Sequence, residues 1–185
     1  MLAATIFGHF FNYLFHFLTG RLLPPDQYGL LESFLALNYF LAVIISSFSL
    51  SVIKTVNRLD FKQLQRLSFK LTLITWLAFL LLYPLLSYLL KFNQPYLFLI
   101  FSLQILFAFT PTLYVAIIQA KLRFKQLALL NFLSPFIKTL TAFILLFLGL
   151  KISGAIAGLV VSGLLTAGLS YWLVRPYLTI TAQKN

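Results

Sequence analysis

The sequence predicts an all-α, polytopic membrane protein: a single bundle of six transmembrane helices that occupies residues 1–185. Three observations support this fold class. Hydrophobic residues make up 61% of the chain and charged residues 9%, so a soluble domain would expose too much apolar surface. The apolar residues form six long stretches, and eight of the 14 basic residues fall in the second and fourth of the loops that join them. Such stretches must be helices, because within lipid each backbone polar group is hydrogen-bonded inside its own segment.

Each apolar stretch is long enough to cross a membrane, since about 20 residues at a helical rise span roughly 30 Å of hydrocarbon. The predicted spans are 2–20, 29–53, 71–90, 96–118, 127–148 and 152–174. Pro24 and Pro25 predict a turn that joins the first two spans as an antiparallel hairpin. Pro84 and Pro111 predict kinks in the third and fourth spans.

The loop charges predict the orientation of the chain. The second and fourth loops are the basic ones, whereas each of the other three loops contains one basic residue. The basic residues of these two loops are Lys54, Arg58, Lys62, Arg66, Lys70, Lys121, Arg123 and Lys125. The positive-inside rule therefore places both loops and both termini in the cytoplasm, and the protein in the cytoplasmic membrane.

The second loop has a pattern of its own, because its basic residues recur at every fourth position with leucines between them. This spacing predicts a helix that lies against anionic headgroups. Two interpretations of this basic segment remain open. Its charges either fix the topology alone, or they form a surface that recruits the substrate.

Composition and charge also argue against several functional classes. The net charge of +11 is spread over loops that spans separate, so it forms no single groove for nucleic acid. The only acidic residues are Asp26, Glu32 and Asp60, which argues against an enzyme that relies on carboxylates. Cysteine is absent, which excludes disulfides and thiolate metal sites. We expect no enzymatic activity, no metal and no cofactor.

Lys138 is the most costly residue within the predicted spans, because it lies near the middle of the fifth. A central lysine costs roughly 2.5–3.5 kcal/mol on membrane insertion. We expect it to face a cavity and to bind an anionic ligand. The alternatives are a partner in another chain or a shifted span boundary. Glu32, near the outer end of the second span, is expected to pair with Arg21, which is a second candidate cation near the outer side of the membrane.

Polar residues share one helix face in the first span and another in the fifth, where Pro135 frees backbone carbonyls. These faces either line a cavity for a sugar or phosphate group, or they form hydrogen bonds between helices. Two histidines without a third ligand are a weak metal signal. The candidate residues are His9, Asn12, His16, Ser134, Lys138 and Thr141.

Small residues recur at every fourth position of the sixth span, beginning with Gly154, Gly158 and Ser162. Such a repeat lets another helix approach the backbone closely. It indicates helix packing and carries no information about a substrate.

Two parts of the chain resemble the oligosaccharide flippases, the Wzx-type polysaccharide biosynthesis proteins of the multidrug/oligosaccharidyl-lipid/polysaccharide exporter superfamily. Residues 21–29 match the family's arginine, short proline turn, aromatic residue and glycine, and residues 49–54 match the end of the following span. Residues 119–128, residues 148–150 and the Gly154-Ala155 pair are similar to its fourth loop and next two helices. Pro24 stands where the family usually has glycine.

The resemblance implies a transporter that moves polyprenyl-diphosphate-linked oligosaccharides across the cytoplasmic membrane by alternating access. Its partners would be membrane lipid, the lipid-linked sugar and a second six-helix bundle. Such flippases have two bundles around a central cavity, and this chain resembles the first. It is therefore expected to be half of a split transporter, a protomer that pairs with itself, or a truncated product.

Two rival functions remain open. A cation-coupled multidrug exporter of the same superfamily would require a carboxylate in the first span, which here contains only histidines and Asn12 as candidate polar groups. A structural assembly subunit would dimerise through the sixth span and would transport nothing alone.

Overall fold

The computed structural model describes residues 2–56, 60–90 and 94–181, excluding the side chains of residues 90 and 177–181. Helices account for nearly all of this region, and no strand occurs within it. The all-α class is confirmed. In chain order the helices are α1 (Leu2–Leu22), α2 (Pro25–Thr55), α3 (Phe61–Leu81), α4 (Tyr83–Leu90), α5 (Pro95–Leu106), α6 (Phe109–Ala120), α7 (Phe124–Phe147) and α8 (Lys151–Thr181).

Five segments in the described part of the chain are long and apolar enough to cross a membrane, one fewer than predicted. They are Pro25–Thr55, Phe61–Leu81, Pro95–Ala120, Phe124–Phe147 and Lys151–Pro176. The segment that falls short is α1, which has 21 residues but contains His9, Asn12 and His16. Its length suffices, and its polar residues lower its hydropathy.

Prolines divide two of the predicted spans, as expected. The third predicted span becomes α3 and α4, with the break two residues before Pro84. The fourth becomes α5 and α6, with the break at residues 107–108 and Pro111 in the first turn of α6. Proline has no backbone N–H to donate to the carbonyl four residues earlier, so the helical hydrogen-bond pattern fails there. Pro135, in contrast, lies inside the continuous helix α7.

The described part of the basic second loop forms no separate surface helix but belongs to the two long helices on either side of it. Lys54 ends α2, whereas Lys62, Arg66 and Lys70 belong to the first three turns of α3, which continues into the third span. Arg58 lies outside the described residues. The reason for the difference is the opposite face of α3, where Leu64 and other small or apolar residues are buried in the bundle. Burial of that face packs the basic turns of α3 against the rest of the bundle.

Helix α3 packs antiparallel to the α5–α6 segment through stacked aromatic side chains. The rings of Phe79 and Phe98 are parallel within 4° with centroids 4.5 Å apart. The indole Nε1 of Trp76 donates a hydrogen bond to Ser102 Oγ over 3.3 Å. These contacts fix which turn of α3 faces which turn of α5.

Helix α7 lies between α1 and α8 and contacts both extensively. A Cβ atom at Gly158 would lie 2.7 Å from the Cα and backbone N of Ala142, and one at Gly154 would lie 3.0 Å from the carbonyl of Leu145. Ser162 is buried, and its hydroxyl donates to the carbonyl of Leu159 in its own helix. The absence of side chains at the two glycines thus brings the α8 backbone against α7.

Candidate functional site

A polar cavity of about 300 Å³ lies where α1, α6, α7 and α8 meet. Most of its polar groups come from α1 and α7, and α8 contributes one hydroxyl. The lining residues are Thr5, Gly8, His9, Asn12, Val115, Leu130, Asn131, Ser134, Pro135 and Thr166. Three of the residues singled out in the sequence, His9, Asn12 and Ser134, are therefore brought together.

The cavity forms where α1 approaches the α7 backbone at Gly8. A Cβ atom at Gly8 would lie 2.7 Å from the carbonyl oxygen of Asn131, a distance that no larger residue could accept without a shift. Asn131 is four residues before Pro135, so its carbonyl lacks the usual helical N–H partner. Thr139 lies one turn after Pro135, and its Oγ1 donates a hydrogen bond to the carbonyl of Phe11 over 2.8 Å. Close approach at Gly8 and this hydrogen bond set the rotation of α1 against α7.

Lys138 lies beside this cavity and is bonded to one of its lining residues. Its half-buried ammonium donates a hydrogen bond to Asn12 Oδ1 and lies 4.6 Å from the centroid of the Phe15 ring. Across residues 2–56, 60–90 and 94–181, no carboxylate forms an ion pair with it. Asn12 thus lines the cavity, and its side-chain oxygen accepts a hydrogen bond from the ammonium of Lys138. That ammonium has no anionic partner among the described residues.

Three other candidate residues lie away from the cavity lining. Thr141 Oγ1 donates to the carbonyl of Gly158 over 3.1 Å, so this hydroxyl joins α7 to α8. His16 is not among the lining residues and instead contacts Glu32 of α2. Arg21, in the last turn of α1, is exposed, and its guanidinium lies 5.2 Å from the ring centroid of Phe17.

The predicted pairing of Glu32 with Arg21 is wrong. Glu32 Oε1 instead lies 2.9 Å from His16 Nδ1, an ion pair if the imidazole is protonated. The two side chains project from the facing helices α1 and α2, and each is only about one third exposed, with 31% for His16 and 36% for Glu32. Arg21 turns back along its own helix to Phe17, a residue one turn earlier. The pair therefore gives α1 an adjacent carboxylate that its own sequence lacks.

Sequence reasoning missed Thr5, Asn131 and Thr166 as lining residues. Thr5 precedes His9 by four positions, and Asn131 precedes Ser134 by three, so helical spacing could have found both. Thr166 is four positions after Ser162 and so continues the small-residue repeat, but its Oγ1 donates to Ser134 Oγ over 3.3 Å. Only the contact between α7 and α8 reveals that role.

The arrangement favours a ligand that has hydroxyl groups and an anionic group. Amide, imidazole and hydroxyl side chains can donate to and accept from a sugar, and in a membrane interior such groups are costly unless they are used. The ammonium of Lys138 adds a charge that a phosphate or diphosphate could neutralise. A cavity of this volume is at the lower end of small-molecule sites, which enclose about 300–1,000 Å³.

Comparison with known proteins gives one significant match. No curated protein and no solved structure matches the chain significantly. The family model described as "Polysaccharide biosynthesis protein" matches residues 1–185, which is the whole chain. On that evidence the chain, a multi-pass helical membrane protein by its fold, belongs to the polysaccharide biosynthesis protein family.

Proposed function

We propose that the protein acts as a flippase, or as one bundle of a flippase, which translocates polyprenyl-diphosphate-linked oligosaccharides across the cytoplasmic membrane. The membership of a polysaccharide biosynthesis family and the five membrane-spanning segments support a role in this process. The proposed orientation has both termini in the cytoplasm, in line with the basic second and fourth loops. A second bundle, from another chain or from a second copy of this one, would complete the central cavity.

The observation that carries this proposal is the polar cavity beside Lys138. Its neutral groups suit the sugar hydroxyls, and the adjacent cation suits the diphosphate. Translocation needs no covalent chemistry. We therefore propose no enzymatic role for these residues.

Translocation can be tested in liposomes that contain the protein and a fluorescent lipid-linked oligosaccharide, with a membrane-impermeant quencher outside. We expect the inner-leaflet lipid to become accessible faster than in protein-free liposomes. Ser134→Ala should slow this rate about fivefold, because a lost hydrogen bond costs on the order of 1 kcal/mol. Ser46→Ala is the matched control, since Ser46 is exposed on α2 and its hydroxyl donates only to the carbonyl of Val43. A rate equal to that of protein-free liposomes, with any partner bundle supplied, would refute the proposal.

A cation-coupled exporter is the second candidate, and the His16–Glu32 pair is the observation that favours it. A partly buried carboxylate against α1 could take up a proton or a sodium ion, and intramembrane ionisable groups commonly serve such coupling. The pair also joins α1 to α2, which otherwise make few contacts with each other. Occupation of the carboxylate by a cation would therefore change a contact between two helices.

Glu32→Gln tests this second candidate, because glutamine keeps the shape but cannot take up a proton. If the pair couples transport to an ion, the variant should lose the dependence of transport rate on an imposed proton or sodium gradient. Asp26→Asn is the matched control, since it removes an exposed acid from the first turn of the same helix. An unchanged gradient dependence in Glu32→Gln would exclude the pair as the coupling site.

A further inference from the structure

A second, basic cavity lies between α3 and the first turn of α6. It encloses about 740 Å³ and is separate from the polar cavity, with which it shares no lining residue. Its lining residues are Lys62, Gln65, Arg66, Phe69, Lys70 and Thr110, and we call it the α3 groove. Half of these residues are cations, and none is acidic.

The three cations form a column along one face of α3. Lys62, Arg66 and Lys70 are each separated by four residues, which places them about one helical turn and 6 Å apart. All three are exposed. In the part of the chain that the structure describes, no acidic side chain pairs with any of them. Asp60 is the N-cap of the same helix, but none of the three closely spaced cations forms an ion pair with it in the described structure.

The column runs along the exposed face of α3 and does not stop at a loop. Helix α3 runs antiparallel to the α5–α6 segment, and Lys70 lines the groove together with Thr110 in the first turn of α6. Thr110 lies ten residues before the end of α6 at Ala120, which corresponds to about 15 Å along the helix axis. The column thus lies beside α6, which belongs to a segment long and apolar enough to cross a membrane. An unneutralised cation is costly at such a position.

The groove also offers an apolar surface beside the charges. Phe69 is 61% exposed and lies between Arg66 and Lys70 in the sequence. Gln65 and Thr110 provide neutral hydrogen-bonding groups. A ligand that fits this combination has an anionic head and a hydrocarbon chain. Soluble anions satisfy only the first requirement.

We propose that the α3 groove is a binding site for the phosphate headgroup of an anionic glycerophospholipid, whose acyl chain packs against Phe69. The phosphate neutralises the column formed by Lys62, Arg66 and Lys70, and bilayer lipid reaches the groove laterally. The inference does not depend on the translocated substrate, since the groove and the polar cavity are different sites.

The test measures binding of phosphatidylglycerol to the purified chain in non-ionic detergent by native mass spectrometry. The variant replaces Lys62, Arg66 and Lys70 by glutamine. We expect its apparent Kd to rise on the order of 100-fold, at about fivefold for each basic residue near a lipid surface. The matched control replaces Lys121, Arg123 and Lys125 by glutamine, which removes the same charge at the turn between α6 and α7. Its apparent Kd should change less than about fivefold, the effect of one basic residue.

Control measurements on folding and on other ligands accompany this test. The circular dichroism and Tm of both variants without lipid should match the wild type, which shows that the folds are intact. Phosphatidylcholine, whose headgroup has no net charge, and inorganic phosphate should both bind wild type more weakly than phosphatidylglycerol does. If the two glutamine variants lost the same affinity for phosphatidylglycerol, net charge alone would account for binding and the proposal would be overturned. Competition by inorganic phosphate as strong as by phosphatidylglycerol would overturn the lipid assignment and indicate a site for free phosphate.

Discussion

Gly158→Leu is expected to lower the Tm of the purified protein in detergent by roughly 4–12 °C. Overpacking of a filled interior typically costs about 1–3 kcal/mol, and each kcal/mol shifts Tm by about 2–4 °C in a chain of this size. The upper part of the range applies because the Cβ atom would meet the Cα and N of Ala142 at 2.7 Å. Backbone atoms cannot rotate out of the way as a flexible side chain can, so α7 and α8 must separate.

Separation of the two helices would also break a specific hydrogen bond. Thr141 Oγ1 donates to the carbonyl of Gly158 over 3.1 Å, and this bond joins α7 to α8. The same displacement would move Thr166 away from Ser134 and disturb the polar cavity. A variant at Gly158 should therefore lose both thermal stability and ligand binding.

Gly168→Leu is the matched control for this prediction. Gly168 lies in the same helix, and no atom lies within 4 Å of a Cβ built there. Leucine also has a higher helix propensity than glycine, by up to about 1 kcal/mol in both variants. The control should therefore keep or slightly raise the Tm. Equal Tm values for the two variants would show that close approach at Gly158 does not stabilise the bundle.

The helical membrane class could be predicted from the sequence because hydropathy depends on local composition alone. The ends of α2 and α7 lie within a few residues of the predicted limits. Helix α3 could not be predicted in this way. Its first three turns contain three cations, which made them resemble a surface segment, but Leu64 on the other face is 2% exposed and packs in the core. Burial by neighbouring helices decided the outcome, and sequence spacing does not record those neighbours.

The candidate site also depends on contacts between helices that sequence spacing does not record. Helical spacing grouped His9 with Asn12 and Ser134 with Lys138, because each pair lies on one helix. It could not show that Lys138 bonds to Asn12, a residue 126 positions away. That contact depends on the rotation of α1 about its own axis, which Gly8 and the carbonyl of Asn131 set. Glu32 was assigned to Arg21 because it lies near the outer end of the second span, yet the structure pairs it with His16.

Lys138→Met is expected to weaken binding of a polyprenyl diphosphate sugar roughly 10- to 150-fold and to reduce translocation accordingly. Hydrogen bonds to charged groups contribute about 1.5–3 kcal/mol, and methionine keeps the length of the stem while removing the charge. The ammonium that would neutralise the diphosphate is also the group that bonds to Asn12 Oδ1. We expect the ligand to compete with Asn12 for this cation, or to share it.

Lys138→Arg separates a binding role from a structural one. Arginine keeps the charge, so part of the binding and translocation should remain, although its planar donor group has different geometry. If Lys138 only joins α7 to α1 through Asn12, Lys138→Met should leave ligand binding and transport unchanged, and its Tm should reflect the balance between the lost hydrogen bond and the removed intramembrane charge. Binding of the lipid-linked sugar and Tm should therefore be measured on all three proteins. Wild-type binding by Lys138→Met would exclude Lys138 as the cation that holds the diphosphate.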